Sequence, residues 1–132
     1  MAKYEYYNPH PLNRGIGDCA IRALTKALGK TWYDIYVDLV IEGFLRCDLP
    51  NADIVWGKYL LKNGFSRNLI PDDGFGDYTI EDFANEHQKG IYVLSIPGKH
   101  VVTIQNSIIY DTWDSRNEIP SFYFCKNKSS EE

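Results

Sequence analysis

Hydrophobic and polar positions along this chain change rhythm once, near residue 90. Before that point the apolar residues recur at helical spacing. Ala20, Leu24, Ala27 and Leu28 follow Asp18, a good N-cap, and Gly29 is a typical stop, so the spacing predicts a helix between them. Thr31 with Asp34 three residues on is a capping-box variant that opens a second helix. Ile35, Leu39 and Val40 form its stripe, and Gly43 is expected to end it. Asn51 is a candidate cap for a third helix through Trp56, Tyr59 and Leu60, up to Asn63-Gly64. Residues 65–70 read as a short strand and Pro71 to Gly76 as a turn-rich loop. Thr79 and Asp82 repeat the capping-box spacing and open a short helix expected to stop at Gly90.

Beyond that point the pattern is β-rich. Ile91 to Ile96 is bounded by Pro97-Gly98, and His100 to Gln105 and Ile108 to Asp111 flank Asn106-Ser107, a hairpin turn signal. Ser121 to Cys125 is placed to close the sheet. Residues 1–17, with Pro9, Pro11, Gly15 and Gly17, read as an irregular leader, and 126–132 as a frayed polar tail. There is no repeat and no internal linker. The expectation is one α+β domain over 1–132, with N-terminal helices followed by an antiparallel sheet.

Composition narrows the class. The 132 residues are 44% hydrophobic and 24% charged, the profile of an ordinary globular domain. No apolar run approaches the ~18 residues of a membrane span. The N-terminus lacks an apolar signal core, so the expected location is cytoplasmic. Net charge is −4 and the basic residues are scattered, which argues against a nucleic-acid partner. Three cysteines without a Cys-x-x-Cys pair argue for reduced thiols rather than a disulfide framework. His10, His87 and His100 with Cys19, Cys47 and Cys125 show none of the paired spacings of zinc sites, so neither metal nor cofactor is expected. His87 reads as a helix-end histidine, Cys125 as packed core, and Cys47 as a spare thiol without an assigned role.

The candidate chemistry begins at Cys19, in the first turn of the first helix. The unpaired N–H groups there lower a thiol's pKa toward the thiolate. A small packed hydrophobe is the competing reading. His100 opens a strand directly after a turn, with Asp111 and Asp114 downstream as carboxylates able to orient it. Turn length chooses between them. A two-residue turn at Asn106-Ser107 sets 102 opposite 111 and makes Asp111 the diagonal neighbour of His100. A three-residue turn brings Asp114 opposite instead. Asp111 is favoured because the even turn also keeps Val102 and Ile109 on one face.

A thiol, an imidazole and an orienting acid in this order satisfy the logic of a catalytic triad. Gly17-Asp18-Cys19-Ala20, Lys99-His100-Val101-Val102 and Tyr110-Asp111 together resemble the papain-like cysteine peptidase superfamily. The likeness is to compact bacteriocin-leader and NlpC-type peptidases and small phage or bacterial papain-fold proteins. The resemblance implies a papain-like fold and a peptide or protein substrate. It gives Cys19 the role of nucleophile on an amide carbonyl, His100 that of proton carrier and Asp111 that of orienting group. Those relatives carry a Gln several residues before the cysteine as oxyanion donor. Here Asn13 stands there, either as a shorter-armed donor or as a turn cap. Trp113, on the predicted His100 face, is either a cleft wall or core. Two functions follow: a cysteine hydrolase or acyltransferase on a peptide or isopeptide amide, or a catalytically vestigial papain-fold binding protein, such as a phage-encoded inhibitor of a host protein. Oligomeric state is not legible.

Overall fold

A computed structural model describes residues 2–70 and 76–127. The elements are β1 (Lys3–Tyr6), α1 (Cys19–Leu28), α2 (Trp32–Arg46), α3 (Asp53–Lys62), β2 (Phe65–Leu69), α4 (Ile80–Glu86), β3 (Ile91–Ile96), β4 (His100–Gln105), β5 (Ile108–Asp111) and β6 (Phe122–Lys126). The six strands form one sheet in the order β1-β5-β4-β3-β6-β2. The class is α+β, but the sheet is mixed rather than antiparallel, because β1 runs parallel to β5. No helix among the described residues is long and apolar enough to cross a membrane.

Alternation on the central strands sorts the core into two layers. Val93, Val101, Phe122 and Phe124 pack with α1, α2 and α3. Leu94, Val102, Ile104 and Ile109 face the other way, onto Ile80, Phe83 and Ala84 of α4. The centre of the sheet is therefore apolar on both faces, which is why β3 and β4 read as continuous hydrophobic runs. Thr103 Oγ1 donates to the Ala23 carbonyl at 2.6 Å and fastens α1 across β4.

Several expectations need correction. The leader is not wholly irregular: β1 pairs Lys3 with Ile108 through Tyr6 with Asp111. It is an edge strand with a mostly exposed surface, so it carries no apolar alternation to announce it. At the other end, Lys126 belongs to β6 and Asn127 N–H bonds the Gly64 carbonyl at 2.7 Å, so the tail is ordered that far. Residues 128–132, and Pro71 to Gly74 with Phe75 of the expected loop, lie outside the described residues. The third helix is capped at Ala52 rather than Asn51. The helix at Thr79 has its full capping box but ends at Glu86, four residues before Gly90, where the His87 ring caps the Phe83 carbonyl at 2.8 Å.

Gly43 does not end α2. The helix continues to Arg46, and Cys47 takes the left-handed closing position at φ 56°. The glycine instead gives the following chain room to fold back: a Cβ there would meet the Asp48 carbonyl oxygen at 2.8 Å and the Pro50 nitrogen at 3.2 Å. Helix propensity alone predicts that Gly43→Ala stabilises by ~1 kcal/mol. The backbone collision predicts the opposite sign, a net loss of about 1–2 kcal/mol. Urea denaturation of the variant decides between them.

Candidate active site

The hairpin fixes the site's register. Asn106 and Ser107 have φ of 51° and 68°, the two left-handed residues of a primed two-residue turn. Gln105 therefore faces Ile108, Ile104 faces Ile109 and Thr103 faces Tyr110. His100, at the start of β4, and Asp111, at the end of β5, stand at the same end of the sheet. The N-terminus of α1 delivers Cys19 there.

His100 Nε2 lies 2.6 Å from Asp111 Oδ2. The Cys19 thiol lies near enough to the His100 side chain and the Val101 backbone for both to act on its ionisation. Asp114 is elsewhere: its exposed carboxylate grips Arg116 at 2.8 and 2.9 Å. Burial pushes the Cys19 thiol up, but the contacts with His100 and Val101, with the nearby charges of His100 and Arg22, leave it below its usual value. Burial pushes His100 down, yet hydrogen bonds and charge from Asp111 and Cys19 carry it up to about 9. Burial also opposes ionisation of Asp111; bonds from His100, Ser115 and Thr112 overcome it and hold its pKa below the ordinary carboxylate value. The directions agree with an ion pair of thiolate and imidazolium that titrates as a unit.

A buried network behind this pair went unread in the sequence. Arg22, 5% exposed, donates from Nη1 to Asp18 Oδ1 and from Nη2 to Asp111 Oδ1, both at 3.1 Å. Trp32 Nε1 donates to Asp18 Oδ2 at 2.9 Å. Ser115 Oγ donates to Asp111 Oδ2 at 2.7 Å. Asp18 thus sits at the N-cap position without capping: its carboxylate makes no bond to the first turn and is turned to Arg22 and Trp32. The legible signal was an arginine at i+4 from an aspartate amid Ala, Ile and Leu, on a helix otherwise facing the core.

Cys19 and His100 open onto a cleft of about 450 Å³, lined also by Gly17, Asn51, Asp53 and Lys99. Asn13 is not part of this lining. It is exposed, holds a left-handed turn at φ 52°, and its side-chain oxygen faces the Asn8 amide at 3.4 Å. The amide that does line the cleft is Asn51. Trp113 is 43% exposed and sets its ring 4.9 Å from that of His100, outside the cleft lining. Cys47 is exposed and Cys125 half-buried, both distant from this chemistry in sequence and element. Among the described residues no cluster of three or more His, Cys, Asp or Glu side chains is arranged to hold a metal ion.

No known protein family, curated protein or solved structure matches the chain. The site stands on its own geometry.

Removing Arg22 strands two buried carboxylates. Arg22→Met is expected to cost about 3–5 kcal/mol in chemical denaturation, the penalty of an uncompensated buried charge. Asp114→Asn, at an exposed pair, is expected to stay within about 0.5 kcal/mol. Equal effects of the two would refute the network's role.

Proposed function

We propose that this protein is a papain-like cysteine hydrolase or acyltransferase acting on a peptide or isopeptide amide. The observation that carries the reading is that Cys19 and His100 line one open cleft and lower and raise each other's pKa, with a buried Asp111 bonded to His100 behind them. In this reading the Cys19 thiolate attacks the amide carbonyl carbon and forms a C–S bond. The His100 imidazolium gives its proton to the leaving nitrogen as the C–N bond breaks. Water, or an incoming amine, then loses a proton to His100, attacks the thioester and releases Cys19.

The start of α1 supplies the charge stabilisation this needs. Its first-turn N–H groups have no intrahelical acceptor, and Asp18 does not occupy them with its side chain. They remain available to the thiolate and to the oxyanion, and Asn51 is the side-chain amide lining the same cleft. Asp111 holds the ring orientation and favours the imidazolium, as the acid of a triad does.

The ion pair has a pH window. Raised to about 9, His100 loses its proton and its contribution to the pair as pH rises through that value. The thiolate, formed below the usual thiol range, is lost as pH falls through the lowered Cys19 value. Iodoacetamide should therefore label Cys19 well below pH ~8.5, where a free thiol is largely protonated, and kcat/KM for amide cleavage should decline on the alkaline side near pH 9. Peptide mapping of the label and a stopped-time rate profile read these out. Labelling of Cys19 only at the pH of free cysteine would overturn the ion pair and favour the vestigial binding protein. Cys19→Ala should abolish cleavage without unfolding the chain. Asp111→Asn should lower kcat by ~10⁴, the scale of losing an orienting carboxylate.

A further inference from the structure

Helix α2 has two apolar seams, and its own fold uses only one. Ile35 and Leu39 are fully buried against the core. On the opposite side Tyr33, Val37, Val40 and Phe44 follow one another at intervals of four, three and four residues, the 3.5-residue repeat by which one helix packs along another. These four are 63%, 53%, 39% and 80% exposed. Tyr36 and Ile41 flank them, also about half exposed, and Leu45 and Leu49 extend the patch at 68% each. A second apolar seam on the side away from the core has no partner within its own fold, whereas a surface helix of a globular protein ordinarily turns polar residues to that side.

We propose that this face pairs with its counterpart on a second copy of the chain, forming a two-fold dimer through antiparallel α2 helices.

The area fits that occupant. Side chains of this size and exposure offer on the order of 100 Å² each, so the six from Tyr33 to Phe44 approach ~600 Å² on each partner, about 1,200 Å² in all and the lower bound of a specific interface. That is the upper end of the roughly 300–600 Å² of the largest apolar patch on a typical monomer. The composition fits as well. The seam carries no charge, so it is its own complement and calls for no basic or acidic partner. The helix dipoles set the direction. A parallel pair would align them and set both Asp34 side chains at the same end. An antiparallel pair opposes the dipoles, moves each Asp34 to the partner's C-terminal half, and is the arrangement a two-fold axis across the helices generates. Spacing then sets the register: Tyr33 lies beside the partner's Phe44, and Val37 beside the partner's Val40. The surface is separate from the Cys19 cleft, and the proposal does not depend on the chemistry assigned there.

Sedimentation equilibrium of the full chain across micromolar to submillimolar concentrations tests it. The wild type should sediment as a dimer. Phe44→Lys and Tyr33→Glu should each weaken the dimer by at least about 30-fold, the loss expected at an interface hot spot, with far-UV circular dichroism unchanged. Val37→Ser, which adds no charge, should weaken it in the same direction. The double variant Tyr33→Glu/Phe44→Lys should recover dimer, because the antiparallel register sets each new charge beside its opposite. A monomeric wild type, including one that binds a different protein through this face, overturns the proposal. So does a dimer indifferent to Phe44→Lys and Val37→Ser. A double variant that stays monomeric overturns the antiparallel register.

Discussion

A carboxylate with no contact with solvent needs every lone pair answered, and Asp111 is such a group, with 0% exposure. Its Oδ2 accepts from His100 Nε2 and Ser115 Oγ, and its Oδ1 from Arg22 and the Thr112 N–H. Those four donors come from β4, α1 and the chain just after β5. The charge cannot be kept ionised inside the protein unless all of these pieces are in place together. Its backbone is used as well: the Asp111 carbonyl accepts the Tyr7 N–H at 2.8 Å, where the chain leaves β1. The edge strand that the leader contributes thus braces the residue on which the site turns.

Charge counting explains why Arg22 is there. Asp18 and Asp111 bring two negative charges into the interior, and Arg22 bridges both but supplies one positive. His100, bonded to the same Asp111, adds a second positive charge when protonated, and the Cys19 thiolate of the proposed pair adds a third negative one. Burial by itself would expel that proton, since desolvation lowers an imidazole's pKa. Two neighbours, Asp111 and Cys19, reverse the balance. Arg22 bonds the far oxygen of Asp111 and holds that carboxylate stationary while sharing itself with Asp18. A lysine cannot span both partners in this way, because it lacks the planar fork.

Much of this site was legible because strand parity is unforgiving. Once Asn106-Ser107 is a two-residue turn, the choice between Asp111 and Asp114 follows from counting, and the capping box at Thr79 and the glycine stop at Gly29 follow from equally local rules. What stayed hidden was non-local or negative. The exposed β1 has no apolar rhythm, so only its parallel pairing with a strand a hundred residues later defines it. Gly43 looked like a helix end because its reason is a collision with chain folding back from Asp48, which no local pattern carries. Asp18 looked like a cap because its type and position are right for one; the competing partners, Arg22 and Trp32, are a turn and fourteen residues away. Asn13 was chosen by its distance from Cys19 along the chain, whereas the cleft is lined by Asn51, brought there by the loop before α3.

The Asp18 misreading has a chemical consequence. An aspartate that capped α1 would place a negative charge and an acceptor on the first-turn N–H groups, beside the sulfur that must itself become negative. It would raise the thiol's pKa and occupy the donors that an oxyanion needs. Drawing the Asp18 carboxylate away to Arg22 and Trp32 removes both objections at once. The same bond fixes Arg22, and through it Asp111 and His100. One ion pair inside the helix that bears Cys19 therefore acts on the thiol from two sides: it clears the helix end in front of the sulfur, and it orients the base beside it. On the proposed chemistry, the nucleophile and its base are positioned by a single buried arginine rather than by two independent sets of contacts.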